Sequence, residues 1–433
     1  MAELREKLER RSARIVVIGV GYVGLPLILE LARAGFRSTG LEQNAEKARK
    51  LNAAESYLPE IDSAELAPHV REGRLDATTN PSVLAEADVV IVCVPTPLNK
   101  TKDPDMRFIV AAADEIARYQ HDDMLVILES TSYPGTTSEV LVPKLTASGQ
   151  VLGRSIFVAF SPERVDPGNR VYGIRNTPKV LAGATTACLE LGSALYSLII
   201  DQLVPVSSTE TAELVKLLEN TFRAVNIGLA NELALMSRKL GVDPFEVIRA
   251  AATKPFGFMP FYPGPGLGGH CVPIDPLYLS WKLRTLDYEA RFIALADSVN
   301  AGMPAHVVER TSEALNDRAK PVRGSRILLY GVAYKANVND CRESPAFAIA
   351  HGLQKRGAHV SYMDPLIPSV NEDGVKQASV ALETDFGQFD AVVLLAAHDA
   401  LDRERLARQA RLIIDTREAL HGVRQNRQNI YGL

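Results

Sequence analysis

The 433-residue sequence is poor in the features of a secreted scaffold, a membrane protein or a nucleic-acid binder. Its four cysteines, Cys93, Cys188, Cys271 and Cys341, are too few for a disulfide framework, and none stands in the CxxC spacing of a zinc site, so no metal is expected. There is no run of like charges. With 48 basic against 52 acidic side chains the formal net charge is −4, which argues against nucleic acid as a partner. No apolar stretch reaches the roughly 20 residues needed to cross a bilayer. The longest are short runs such as residues 87–94, and no membrane partner is expected. Residues 1–14, dense in Arg, Glu and Lys, read as a solvated leader and not as a signal peptide, which predicts a cytoplasmic protein.

What the sequence does contain is alternation. A buried strand over Ile15–Ile18, a glycine turn, an apolar helix ending before Gly35 and a second strand running to Leu41 form a βαβ unit. Further strands are predicted at 88–94, 124–128, 156–160, 179–181 and 203–206, giving a doubly wound parallel sheet. A long helical pattern follows over Thr209–Leu240, with Ser207 and Glu210 spaced as a capping box and Gly241 placed to end it. A Pro/Gly-rich stretch, 254–276, precedes more helix to about Ala319. After Pro321 the βαβ pattern returns: strand 326–330, helix 345–356, strand 359–363 ending at Asp364, then strands at 390–395 and 412–414. The expected architecture is α/β, with two Rossmann-like doubly wound domains joined by a long central helix and helical core. Its boundaries are 1–206, 207–319 and 320–433. The second βαβ unit lacks the triple-glycine turn and has a polar loop with Lys335, Asn337, Asp340, Arg342 and Glu343, suited to a different phosphate-bearing ligand or simply a surface loop.

Gly19, Gly21 and Gly24, with Tyr22 and Val23 between them, form a GxGxxG turn between strand and helix. The first glycine permits the bend, the second lets a pyrophosphate approach the backbone, and the third lets helix pack on strand. Glu42 ends the next strand, where a carboxylate can accept both adenosine ribose hydroxyls and would repel a 2′-phosphate, so the predicted cofactor is NAD and not NADP. Three loops leave strand ends of the same sheet: VPTP (94–97, with Thr96), ESTSYPG (129–135, with Thr131) and SPER (161–164, with Glu163 and Arg164). They are read as lining the nicotinamide half or as ordinary Pro-containing loops. On the long helix Lys216 and Asn220, four apart, share a face and could hold a developing alkoxide; a solvated lysine is the alternative. The segment YPGPGLGGHCVPIDP (262–276) delivers Cys271 on a backbone made pliable by Gly264, Gly266, Gly268 and Gly269, with His270 beside it and Asp275 four residues on. Cys93 and Cys188 sit in apolar or small-residue surroundings and Cys341 in a polar loop. Cys271 alone has the flanks of a nucleophile, with a structural thiol as the alternative.

Together GVGYVGLP (19–26), VPTP, ESTSYPGTT (129–137), Lys216 with Asn220, GGHCVPIDP (268–276), YKANVNDCRES (334–344) and DTR (415–417) resemble the UDP-glucose/GDP-mannose dehydrogenases over nearly the whole chain. The resemblance implies NAD-dependent oxidation of the C6 alcohol of a nucleotide sugar to a carboxylate, and a homodimer or higher homo-oligomer. It implies Cys271 as nucleophile and Lys216 and Asn220 at the oxyanion. Asp275, Thr131 and Glu163 would order a water, Tyr262 and the glycines at 264, 268 and 269 would line the sugar site, Lys335 and Arg417 would contact the sugar nucleotide, and Arg342 would reach the NAD phosphates. Ile274 stands where UDP-glucose members commonly have lysine, His270 and the PIDP continuation (273–276) resemble the N-acetylhexosamine branch, and ESTSYPG and SPERVDPGN (161–169) most resemble the UDP-N-acetylglucosamine 6-dehydrogenases. The expected substrate is therefore UDP-N-acetylglucosamine, with Arg164 as a sugar contact. UDP-glucose or UDP-N-acetylmannosamine stand as alternatives. Glu42 departs from the aspartate commoner in the family. A two-electron hydroxyacid dehydrogenase, which has no use for Cys271, and a non-catalytic NAD-binding module are the rival readings.

Overall fold

The computed structural model describes every residue except Pro59, Pro167, Arg170 and Asp373, so Pro167 of the SPERVDPGN segment lies outside the described residues. The chain forms two compact units, residues 1–219 with 277–288, and residues 220–276 with 289–433.

In the first unit, strands β1 (Arg14–Ile18), β2 (Arg37–Leu41), β3 (Leu75–Thr78), β4 (Val89–Val92), β5 (Met124–Leu128), β6 (Ile156–Phe160), β7 (Lys179–Gly183) and β8 (Leu203–Pro205) make one sheet in the order 3-2-1-4-5-6-7-8. The first six reproduce the dinucleotide-binding order, whose reversal point lies between β1 and β4. Central strands are apolar on both sides because helices cover both faces. Ile15, Val17, Ile91 and Ile127 join one core layer, while Val16, Val90, Val126 and Val158 join the other. Strand β3 was not anticipated. The sheet also departs from the expected all-parallel form, because β6 and β7 pair antiparallel. Among its described residues their connection, 161–178, has no crossover helix, and a chain that returns without one arrives antiparallel.

The solvated leader is corrected. Ala2–Glu9 is a helix whose Leu4 and Leu8, one turn apart, are buried in the core against the helix Thr186–Tyr196, and Lys7 pairs with Asp88 at 2.8 Å. Its charges are the outer face of an amphipathic element.

The long helix Thr209–Leu240 forms as expected and ends at Gly241, whose φ of +70° suits glycine. Its cap is Ser208 and not Ser207: the Ser208 Oγ accepts from the Thr211 N–H at 3.1 Å, and Glu210 instead accepts from the Ser138 hydroxyl at 2.6 Å. In the second unit β9 (Arg326–Tyr330), β10 (His359–Met363), β13 (Ala391–Leu394), β14 (Ile413–Asp415) and β15 (Ile430–Tyr431) form a parallel sheet in the order 10-9-13-14-15. A separate hairpin, β11 (Ser369–Glu372) with β12 (Val375–Ala378), was also unanticipated. No helix among the described residues is long and apolar enough to cross a membrane.

Candidate active site

The glycine turn is built for close backbone approach. Gly19 has φ +87°, and a Cβ on it would lie 2.6 Å from the Cys93 carbonyl oxygen; one on Gly24 would lie 2.0 Å from the Gly19 oxygen. Gly21 differs: among the described residues nothing stands within 4 Å of its would-be Cβ. The first and third glycines are therefore required by the protein itself, while the second faces space that a ligand can use. Glu42 is oriented at the end of β2 by the Val20 and Asn44 N–H groups, which donate to its two oxygens at 3.3 and 3.0 Å. These residues fit a dinucleotide with free ribose hydroxyls. Tyr22 and Thr96 are half-buried, the latter in the loop after β4. Val23 borders a small cavity with Leu27, Glu129, Glu163, Arg164 and Lys179.

The loop after β5 carries Thr131, half-buried, and is pinned to the β4 loop by Ser130, whose hydroxyl donates to the Val94 carbonyl at 2.9 Å. Glu163 and Lys216 are both buried and form an ion pair, Oε2 to Nζ 3.3 Å. A buried charge persists only when paired, so this pairing holds the ammonium in place. Arg164 is engaged by Glu219 at 2.7 Å and by the Pro178 carbonyl.

In the second unit, the Asp275 N–H donates to the Cys271 carbonyl at 2.8 Å, so Cys271 opens the turn that leads into the helix Asp275–Arg284. Asp275 is 1% exposed and accepts from the Asn220 amide at 2.6 Å, joining residues 55 apart in sequence. His270 lies 3.8 Å from Asp340, yet burial and the Arg342 guanidinium push its imidazole down to about 4. It is neutral at pH 7. The glycines of this loop are sterically fixed. A Cβ on Gly264 would lie 2.3 Å from Arg417 Nη1, one on Gly268 would lie 2.8 Å from Tyr334 Cβ and 2.9 Å from the Glu343 oxygen, and Gly269 has φ +83° against the Tyr334 ring. The loop thus lies on the 334–344 segment and on Arg417, whose Nε donates to the Leu395 carbonyl at 3.0 Å and which burial pushes down to about 10. Tyr262 is exposed and stacks on Phe245. Lys335 is half-buried. Arg342 makes a bidentate pair with Asp340 at 2.9 and 2.8 Å.

Sequence reasoning missed several buried polar groups. Asn231 accepts from the Gly264 N–H at 2.9 Å and is held by Asn300, so an asparagine pair fixes the start of the glycine-rich loop. The signal was present: Asn231 is three helical turns beyond Asn220 on the same face. Glu129, Lys179 and Tyr196 form a buried cluster at the base of the Thr131 loop, with Lys179 Nζ 3.0 Å from Glu129. At the end of β10 Asp364 occupies the place that Glu42 occupies after β2. It accepts the Val332 and Ala333 N–H groups at 2.8 and 3.0 Å and the Leu366 and Ile367 N–H groups at 2.9 and 3.2 Å. His398 lies against the same carboxylate and accepts from the Asn337 N–H at 3.0 Å. The second sheet's carboxylate is consumed by its own backbone, and Ala333 replaces the open glycine; that unit is not a second dinucleotide site of the first kind.

Comparison with known proteins gives the family. Residues 13–200 match the NAD binding domain, 210–302 the central domain and 328–422 the UDP binding domain of the UDP-glucose/GDP-mannose dehydrogenase family. The chain is 35% identical over 392 residues to a UDP-N-acetyl-D-glucosamine 6-dehydrogenase of Pseudomonas aeruginosa, covering 90% of this chain and 91% of that one. It is 35% identical over 400 residues to a UDP-N-acetyl-D-mannosamine dehydrogenase of Salmonella typhi, covering 89% and 93%. The solved UDP-D-ManNAc dehydrogenase of Pyrococcus horikoshii superposes with a TM-score of 0.87 at 31% identity, over 97% of this chain and 98% of that one. The chain belongs to the UDP-glucose/GDP-mannose dehydrogenase family and is an NAD-dependent nucleotide-sugar dehydrogenase.

Proposed function

We propose that the protein oxidises the C6 hydroxyl of UDP-N-acetylglucosamine to a carboxylate in two NAD-dependent steps through a covalent bond to Cys271. The observation that carries the reading is Cys271 itself: a half-buried thiol at the head of a helix, on a loop whose glycines admit no side chain. NAD, when bound, accepts one hydride in each oxidation. In the first, the alcohol loses a hydride from C6 and a proton from oxygen, and the aldehyde remains bound. The Cys271 thiolate adds to that carbon. Loss of a second hydride leaves a thioester, and water cleaves it to the acid and free thiol. The balance is one alcohol, two NAD and one water giving one carboxylate, two NADH and three protons.

Lys216 and Asn220 serve as donors to the negative oxygen of both tetrahedral species, a role the buried ammonium suits because its field is little screened. Asp275, Glu163 and Thr131 are proposed to orient the attacking water. Lys335, Arg417, Arg164, Tyr262 and the glycines at 264, 268 and 269 are assigned to the sugar nucleotide. Gly19, Gly21, Tyr22, Val23, Gly24, Glu42, Thr96, Thr131 and Arg342 are assigned to NAD. The three segments 1–206, 207–319 and 320–433 would divide cofactor binding, dimerisation and UDP-sugar binding. A homodimer is supported by the long helix, where Leu214, Leu218, Phe222, Leu229, Met236 and Leu240 are exposed. At 100° per residue they fall within about 80° of arc, away from the face of Lys216 and Asn220. Glu232, half-buried, is the charged residue at its edge, and a second copy presenting the same stripe is its natural cover.

A second reading, UDP-N-acetylmannosamine as substrate, is favoured by the Salmonella relative and the Pyrococcus structure. Purified protein and NAD incubated with a panel of UDP-sugars decides between them. The proposal expects two NADH per acid, fastest with UDP-N-acetylglucosamine. One NADH per substrate with accumulating aldehyde would defeat it.

A further inference from the structure

Glu213 lies on the long helix one turn before Lys216 and on the same face, and it is 0% exposed. Its Oε2 accepts from the Gly135 N–H at 2.6 Å, and its Oε1 accepts from the Thr137 N–H at 2.8 Å and the Thr137 hydroxyl at 2.7 Å. The two amides bracket the point where the loop that carries Thr131 turns into the helical segment beginning at Thr137. One carboxylate therefore ties two elements together: the loop from β5, already pinned at its start by Ser130, and the helix that carries Lys216. We propose that Glu213 is a positioning residue for the reaction, fixing the Thr131 loop in register with Lys216. This rests on the proposed chemistry for its rate effect, but not for the clamp itself.

An ordinary helix cap would be served by Asp, Ser or Thr on the loop's own chain, and such caps are normally solvent-exposed. Here the cap comes from another element, is buried, and presents two oxygens to three donors, so no neutral side chain of the same length replaces it. Gln keeps one acceptor and turns an N–H toward the Gly135 N–H. Asp, one methylene shorter, withdraws from both amides. Burial pushes the Glu213 carboxyl up to about 7, against the donors that hold it down. The other ionisable groups facing it are Glu210 on its own helix, Glu139 with its partner Lys282 beside Gly135, and Tyr133. As the pH falls through about 7, a proton on Glu213 puts an O–H among three donors and loosens the clamp.

The test compares Glu213→Gln, Glu213→Asp and a control at an exposed carboxylate away from the loop, Glu190→Gln, in the full-length protein. For both Glu213 variants the expected result is a kcat lower by about 10- to 100-fold, the range a misplacement of about 1 Å produces, with KM values for NAD and UDP-sugar within about threefold of wild type. The fall in kcat below about pH 7 should flatten in Glu213→Gln. Amide hydrogen exchange at Gly135 and Thr137 should accelerate by at least about tenfold, while Glu190→Gln keeps wild-type kcat and protection. Unchanged protection at both amides, an unchanged kcat and pH profile per folded molecule, or an equal loss in the control overturns the proposal. Should wild type release no acid from any UDP-sugar, the proposed reaction falls, and the exchange measurement still decides the clamp.

Discussion

Replacing Lys179 by methionine isolates the energetics of the cluster beneath the Thr131 loop. Lys179 is 8% exposed and Glu129 2%, their charges 3.0 Å apart, with the Tyr196 hydroxyl donating to the same carboxylate oxygen and the ammonium 4.8 Å from the Tyr196 ring centre. Methionine fills similar volume, so the packing loss is small and the main effect is a buried carboxylate left with one donor. Breaking a buried pair by removing one partner costs about 3–5 kcal/mol. At about 2–4 °C per kcal/mol for a domain of this size, the melting temperature should drop by roughly 6–20 °C. Removing both charges, as Glu129→Gln with Lys179→Met, leaves no ion without a counter-ion and should recover most of the loss. Scanning calorimetry of the two variants beside wild type is the assay. A single variant that melts within about 2 °C of wild type, or a double variant worse than the single, would show that the buried pair does not carry this stability.

Other consequences are more local. Glu42→Ala should raise KM for NAD by about 10- to 100-fold, the value of one or two charge-assisted hydrogen bonds, with kcat changed far less; steady-state kinetics over NAD concentration checks it. Gly268→Ala drives a methyl into the Tyr334 side chain and the Glu343 backbone, and should weaken UDP binding by at least about tenfold in calorimetric titration while leaving NAD binding intact. Leu218, 61% exposed in the apolar stripe, should as Leu218→Glu shift the protein to monomer in light scattering without lowering its melting temperature by more than a few degrees.

Most of the architecture was legible because it is written in local pattern. β1, β4, β5 and β6 are apolar runs bounded by turns, and the Thr209–Leu240 helix carries its own stop at Gly241. The misses share a cause. Strand β3, Leu-Asp-Ala-Thr, is four residues long with alternate burial at the sheet edge, too short to declare a period. The Ala2–Glu9 helix shows only Leu4 and Leu8 to its core, so five charged positions masked two buried ones. The antiparallel entry of β7 was invisible because direction is set by what the connection does in space.

The site divides along the same line. The glycine turn, Glu42 and the Cys271 loop stood out because chemistry and spacing coincide within a few residues. The pairings that hold them, Glu163 with Lys216, Asp275 with Asn220, Gly264 with Asn231 and Glu213 with the Thr131 loop, join positions from 33 to 78 apart. No local pattern reports them. Asp364 marked the end of its strand as Glu42 did, yet what distinguishes the two is the set of backbone donors each meets.

The proposed reaction turns on a covalent bond between Cys271 and the substrate carbon between two oxidations. Rapid quenching of the enzyme during turnover with UDP-N-acetylglucosamine and NAD, followed by intact-protein and peptide mass spectrometry, reads it directly. A transient acyl adduct is expected on the peptide containing Cys271, absent in Cys271→Ala, which should also form almost no acid. Full acid production by Cys271→Ala, with two NADH per substrate at the wild-type rate, would contradict it.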